Sequence, residues 1–123
     1  MLASFVIQAL QPLLSGDEAE MRLLAESVIS NGQILRQGAS DELDQLLVAV
    51  RSTLSTRNLS SECRLWLLFT ADVAEVNFGH LRKPLLNFYK VSLARKELTF
   101  FKSFHLNRLF STPRNYLFND ECN

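Results

Sequence analysis

The amino-acid sequence predicts an all-α fold. Apolar residues recur every three or four positions through most of the chain, which is the spacing of one helix face. Only four Gly and three Pro occur in 123 residues, which disfavours a loop-rich or all-β fold. The composition, 47% hydrophobic and 21% charged, is that of a globular protein. The length suits one small domain or part of a larger one.

The most apolar stretch, residues 59–89, organises the predicted fold. Its apolar residues recur at spacings of four, four and three, which favours a helix over a strand. These residues are Leu65, Phe69, Val73 and Val76. A helix that is apolar around most of its circumference must be covered on several sides. We therefore expect a central helix from about Ser61 to Asn77, with the other helices packed around it.

Three helices are predicted before this stretch. The first covers residues 2–11 and ends before a proline. A capping-box pattern, Ser15-Gly-Asp-Glu18, then predicts the start of the second. An Asn-Gly dipeptide alone would predict a turn at Gly32. The apolar stripe keeps its phase there, which favours one helix to about Gln37, with Gly32 allowing a neighbouring helix to approach closely.

The remaining elements follow from cap and proline signals. Ser40 is predicted to cap a third helix, whose buried face continues to Leu54. Residues 55–59 are polar and predict a loop. After the central helix, a connection leads to a last helix from about Pro84, since proline suits a first helical turn.

The charge is unevenly distributed. Residues 1–81 hold five Lys and Arg against ten Asp and Glu, and residues 82–123 hold eight against three. The two parts therefore carry net charges of −5 and +5, from 5 − 10 and 8 − 3. A basic C-terminal region favours nucleic acid or an acidic partner. The alternatives are attraction between the two parts, or a solvated basic face.

The sequence contains no motif that indicates catalysis. P-loop, dinucleotide-binding, nucleophile-elbow and HExxH patterns do not occur. The two His and two Cys lack metal-ligand spacing, so we expect no metal, no cofactor and no enzymatic activity. Cys63 is predicted to be a packed thiol. Asp72 and Glu75 are predicted to face solvent or to pair with Arg82 or Lys83.

A set of cations with aromatic residues between them gives the best binding signal. Cations neutralise phosphates, and exposed aromatic rings stack on bases. Phe88 and Tyr89 are the interleaved aromatics, but both are equally good core residues. The candidate residues for RNA or partner binding are Arg51, Arg82, Lys83, Lys90, Arg95 and Lys96.

The two ends of the sequence carry further expectations. The apolar N-terminus lacks the basic flank of a signal peptide, and no apolar run approaches the roughly 20 residues that span a bilayer. We therefore expect a cytoplasmic protein, with the nucleus as a second compartment and no membrane contact. Because the first helix begins directly on an apolar face, we expect the chain to begin inside a larger helical array. Five of the nine Phe lie in the last 24 residues, in a basic tail that is either a docking helix or sequence that does not fold with the rest.

The order of these features resembles a known family. Its elements in this chain are Gly32 and Leu35, Asp41-Glu-Leu-Asp-Gln-Leu-Leu-Val-Ala-Val-Arg51, Leu59-Ser-Ser, the apolar helix, Phe78-Gly79, Pro84 and Phe88-Tyr89. This order resembles the C-terminal part of the middle domain of translation initiation factor four-gamma, and especially its small single-domain relatives of the Mextli-like and histone-mRNA-adaptor-like kinds. The resemblance covers roughly residues 3–90.

The resemblance implies a specific architecture and a functional class. The fold would be all-α, with antiparallel helix hairpins stacked as a HEAT-like (ARM-type) α-solenoid fragment. Residues 1–90 would form the C-terminal part of a helical-repeat domain and residues 91–123 a basic, Phe-rich tail. The function would be that of a non-catalytic adaptor in mRNA translation or mRNA metabolism, binding initiation factors, RNA-associated proteins or RNA. The alternative is a generic helical protein interaction module, including a truncated product of a larger helical-repeat protein; the oligomeric state is left open.

Overall fold

The structure, a computed structural model, describes residues 2–97, with side chains described as far as Ala94. Five α-helices and one 3₁₀ turn make up this part of the chain, and no strand occurs within it. The helices are α1 (Leu2–Leu10), α2 (Glu18–Gly38), α3 (Ser40–Thr56), α4 (Ser61–Glu75) and α5 (Lys83–Glu97), with the 3₁₀ turn at Gln11–Ser15. The predicted all-α class is confirmed for these residues.

Helix α4 packs against three other helices, which confirms part of the prediction, whereas α1 and the 3₁₀ turn pack mainly on α2. Helix α4 contacts α2, α3 and α5, and Trp66, Leu67 and Phe69, which point to different sides of the helix, are all fully buried. Thr70 is buried as well, but its hydroxyl donates to the carbonyl of Trp66 at 2.9 Å, so its polar group is satisfied.

Helices α2 and α4 lie side by side and run in the same direction. At their beginnings, the Glu18 carboxylate accepts hydrogen bonds from the backbone and hydroxyl of Ser60 at 2.8 and 2.6 Å. Near the other ends, Gln33 Nε2 donates to the carbonyl of Phe78 at 2.9 Å. Contacts that join start to start and end to end require a parallel pair.

Each of these two helices is followed by one that packs against it. Arg57, just after α3, donates to the carbonyls of Leu14 and Gly16 at 2.8 and 3.3 Å, so α3 ends beside the start of α2. In α5, the ring of Tyr89 stacks on Phe69 in the middle of α4, with 4.5 Å between ring centroids. The described chain therefore contains an antiparallel pair, α2–α3, and a second pair, α4–α5, that packs through Phe69 and Tyr89.

Helix α4 ends at Glu75, two residues before the predicted end, in a Schellman motif. The backbone N–H of Asn77 donates to the carbonyl of Ala74 and that of Phe78 to Val73, both at 2.9 Å. Asn77 and Phe78 have φ values of 56° and 60°, in the left-handed region. Such a conformation costs a non-glycine residue of order 1–3 kcal/mol, so other contacts must hold it in place.

Those contacts come from Gly32 and Gln33 of α2. The ring of Phe78 lies directly over Gly32, and a Cβ on that glycine would stand 2.0 Å from the ring. Phe78 is 1% exposed, and its carbonyl accepts the bond from Gln33. The predicted continuity of α2 through Gly32 and the close approach there are confirmed, although the approaching group belongs to the α4–α5 connection rather than to a helix.

The predicted cap of α2 is wrong. Asp17 is the N-cap, with its side chain accepting from the backbone of Glu20 at 2.9 Å while the Glu20 carboxylate accepts from the backbone of Asp17 at 3.0 Å. Ser15 instead ends the 3₁₀ turn. The capping box is therefore two residues later than the Ser15–Glu18 pattern predicted, because the 3₁₀ turn continues through Ser15.

The predicted limits of α3 also change. Ala39 takes the N-cap position and Ser40 is the first helical residue; its hydroxyl accepts from Arg36 at 3.0 Å. Only one residue separates α2 from α3, which leaves no room for a serine cap. At the other end α3 runs to Thr56, into the predicted loop, and the hydroxyls of Ser55 and Thr56 donate to carbonyls within the helix.

We predict that Gly32→Ala lowers the free energy of unfolding by about 1–3 kcal/mol, the range for overpacking a core. The added Cβ would collide with the Phe78 ring, which outweighs the roughly 1 kcal/mol that alanine gains in helix propensity. Urea denaturation followed by circular dichroism would measure the change. Ser30→Ala, exposed on the same helix, is the control and should be nearly neutral or slightly stabilising. An unchanged midpoint for Gly32→Ala would contradict this packing.

Candidate interaction surface on α5

Helix α5 packs one face on α4 and turns the other outward. Pro84 lies in its first turn, where a missing N–H costs little. Leu86, Tyr89 and Leu93, at spacings of three and four, are buried. The helix runs past residue 90, so the first residues of the expected segment 91–123 continue the helical body.

The remainder of that segment, residues 98–123, lies outside the described residues. The expectations of a docking helix or of a non-folding end fall on it and stay predictions.

The outward face of α5 is largely apolar. Phe88 is 50% exposed and Val91 is 53% exposed. Pro84 and Ala94 are exposed as well, and the spacings of four, three and three place all four residues on one side of the helix. We call Pro84, Phe88, Val91 and Ala94 the α5 stripe.

Cations lie at the beginning of this stripe. Arg82 and Lys83 are exposed where the chain enters α5, and Lys90, beside Val91, is half-buried. Arg95 and Lys96 belong to α5, but their side chains lie beyond those that are described. Three of the predicted binding cations, Arg82, Lys83 and Lys90, therefore lie on the helix that carries the stripe or directly precede it.

Arg51 is placed differently, on α3. Its Nη2 atom lies 2.6 Å from Oε2 of Glu75, at the end of α4. Both side chains are largely exposed, so the pair contributes little to stability. Glu75 faces solvent, which is one of the two predicted alternatives, and its carboxylate pairs with Arg51 of the neighbouring helix rather than with Arg82 or Lys83.

The two adjacent aromatics have different roles. Phe88 is exposed, whereas Tyr89 is buried and donates its hydroxyl to the carboxylate of Asp72. Burial, and then this hydrogen bond, raise the pKa of Tyr89. Tyr89 is therefore a core residue that cannot stack on a base, and Asp72 pairs with it rather than with Arg82 or Lys83.

Two clefts lie elsewhere on the body. One, of about 220 Å³, lies between the beginnings of α2 and α4 and is lined in part by Trp66 and Cys63. The other, of about 740 Å³, lies between the 3₁₀ turn and α3. Neither is lined by His80 or Asp72. Within the described residues no group of His, Cys, Asp and Glu could hold a metal ion.

Cys63 is a packed thiol, as predicted. It is buried, with its Sγ 3.8 Å from Sδ of Met21. Burial, followed by the charge of Glu18, raises its pKa from 9.0 to about 11. The thiolate is the nucleophilic form, so this cysteine is poorly suited to covalent chemistry at neutral pH.

Val91 and Ala94 are the binding candidates that the charge pattern does not indicate. The sequence does contain a signal for them: Pro84, Phe88, Val91 and Ala94 recur at helical spacing and form a second apolar stripe on α5 beside the buried one.

Comparisons with family models, with curated proteins and with solved structures give no match to this chain. In the described part of the chain, no helix is both long enough and apolar enough to cross a membrane.

We predict that stability falls by about 1 kcal/mol between pH 8 and pH 10 through Cys63 alone. The folded-state pKa is raised, so the folded protein retains a proton that the unfolded chain loses. The contribution is fully present below pH 9.0 and is lost as pH rises toward about 11. Urea denaturation of the wild type and of Cys63→Ala at both pH values would measure it. The pH dependence should be flatter in Cys63→Ala, and equal slopes would contradict the raised pKa.

Proposed function

We propose that this protein is a non-catalytic adaptor in mRNA translation or mRNA metabolism, binding initiation factors or RNA-associated proteins. The observation that carries the proposal is the outward surface of α5, where exposed Arg82 and Lys83 adjoin an apolar stripe. The proposed activity places the protein in the cytoplasm, with the nucleus as a second compartment.

The helix arrangement supports a HEAT-like (ARM-type) solenoid fragment. Helices α2 and α4 run parallel, and each is followed by a helix that packs against it. This is the order of successive hairpins in a helical repeat, in which each repeat buries its apolar face on its neighbours. Together with the resemblance to the middle domain of translation initiation factor four-gamma, it favours a scaffold over an enzyme.

The α5 surface fits an acidic protein segment. Arg82 and Lys83 are exposed, and residues 82–94 contain no Asp or Glu, so the described part of this surface is basic. Opposite charges guide a partner and fix its register, while an exposed aromatic side chain supplies a central anchor. Phe88 is the only aromatic side chain exposed on the described part of α5.

RNA is the second candidate ligand, because the same cations would neutralise phosphates. The burial of Tyr89 weakens this alternative, since only one of the two aromatics can stack on a base.

We predict that Arg82→Gln with Lys83→Gln reduces recovery of the partners about tenfold, as the loss of two exposed charge pairs implies. The full chain and the variant would be used as affinity baits in cell extract, with the recovered proteins identified by mass spectrometry. Gln37→Glu with Gln45→Glu is the matched control: both residues are exposed, and the net charge changes by the same −2. Ribonuclease treatment separates direct protein contact from capture through RNA.

The wild type should recover initiation factors or mRNA-binding proteins that survive ribonuclease. Recovery of no such protein would contradict the adaptor role. If the Arg82/Lys83 variant recovered the same amount of each partner as the wild type, these cations would not belong to the binding site. If ribonuclease abolished recovery of every partner, RNA would be the favoured ligand.

A further inference from the structure

We infer that a second copy of this chain binds the α5 stripe through its own α1, in a head-to-tail contact between two exposed apolar helix faces with oppositely charged edges.

Helix α1 is apolar on both sides. Ala3, Ile7 and Leu10 are buried against the body. On the other side Leu2 is 74% exposed and Phe5 is 71% exposed. The helix contains no charged residue, a composition typical of a helix covered on both faces. We call the exposed residues Leu2, Phe5 and Ala9 the α1 stripe.

The two stripes belong to helices at opposite ends of the packing order. Helix α1 packs against α2, α3 and the 3₁₀ turn, whereas α5 packs mainly against α4. The α1 stripe of one copy therefore does not cover its own α5 stripe. Exposed apolar faces of this kind mark interaction sites in soluble proteins.

Charge decides which pairing is favoured. Glu42 lies beside α1, since the Ser4 hydroxyl donates to its Oε2 at 2.6 Å, and Asp41 is exposed next to it. The bond from Ser4 lowers the pKa of Glu42, so this carboxylate is ionised at neutral pH. At the other end, Arg82 and Lys83 adjoin the α5 stripe.

A head-to-tail contact brings these opposite charges together. A symmetric contact would not: α1 against α1 would place carboxylates near carboxylates, and α5 against α5 would place cations near cations. Like charges at an interface are costly and act against the wrong pairing. A head-to-tail dimer leaves one unused stripe at each end, so dimers should grow into longer chains or closed rings as concentration rises.

The contact also bears on partner binding. If the proposed adaptor role is correct, a partner and a second copy would both need Phe88 and would exclude each other. The self-association itself does not depend on that role.

Sedimentation velocity of the purified full chain over a hundredfold range of concentration tests the inference. The wild type should grow in mass with concentration, and less so in 0.5 M salt, which screens the charged edges. Phe5→Glu and Phe88→Glu should each be monomeric. Val48→Glu is the control, because Val48 is 65% exposed on α3 and lies on neither stripe.

Mixing the two monomeric variants gives the sharpest result. Phe88→Glu keeps an intact α1 stripe and Phe5→Glu keeps an intact α5 stripe, so an equimolar mixture should form a dimer and nothing larger. Circular dichroism would show that both variants are folded.

Several outcomes would overturn the inference. One is a wild type that stays monomeric throughout, as expected if another segment of the chain covers a stripe. Another is a variant that still self-associates, which would indicate a different or symmetric contact. A mixture that remains monomeric, or equal self-association by all variants, would also exclude the head-to-tail arrangement.

Discussion

The position of Phe78 over Gly32 is the contact on which the arrangement of the helices depends. Two consecutive residues in the left-handed region end α4 and turn the chain sharply. That backbone is retained because the ring fills the space where α2 lacks a Cβ and because Gln33 binds the Phe78 carbonyl. The contact joins α4 to α2 at the end opposite the Glu18–Ser60 bonds, which fixes the two helices in parallel. It also sets the path into α5, and hence which side of α5 faces outward.

Periodicity was sufficient to predict much of this fold. The packing of α4 against three other helices and the continuity of α2 through Gly32 both follow from apolar spacing, because burial depends on which residues share a helix face. The caps could not be read in the same way. Ser15 and Asp17 are both good caps, and the choice between them depends on a 3₁₀ turn whose carbonyls are held by Arg57, from a distant part of the sequence. The residues next to Phe78 do not predict its left-handed conformation either, because that conformation depends on Gly32, a residue of a different helix.

The candidate surface was predictable in composition but not in orientation. The cations before and within α5 are evident from the sequence, and Arg82 and Lys83 are indeed exposed. The sequence could not separate Phe88 from Tyr89, because α5 carries two apolar stripes and either could face the core. The structure selects the stripe that contains Tyr89, whose ring stacks on Phe69 and whose hydroxyl finds an acceptor in Asp72. Phe88, which has no polar group to satisfy, then faces outward. The partner of Arg51 could not be predicted for a similar reason. Its bond to Glu75 joins α3 to α4, and the sequence alone does not give the relative position of these helices.

The order in which the helices pack explains why two apolar helix faces remain exposed. Helix α4 is covered by α2, α3 and α5, whereas α5 packs mainly against α4, and α1 leaves Leu2 and Phe5 exposed. The outer faces of α1 and α5 are therefore two of the places where apolar side chains remain available for binding. What distinguishes the two faces is charge: carboxylates at Asp41 and Glu42 border α1, and cations at Arg82 and Lys83 border α5. The hydrophobic attraction is non-directional, so the apolar residues alone would bind many partners. The charged edges select among those partners. An acidic edge is the feature that any occupant of α5 must share, whether it belongs to another protein or to the α1 end of a second copy.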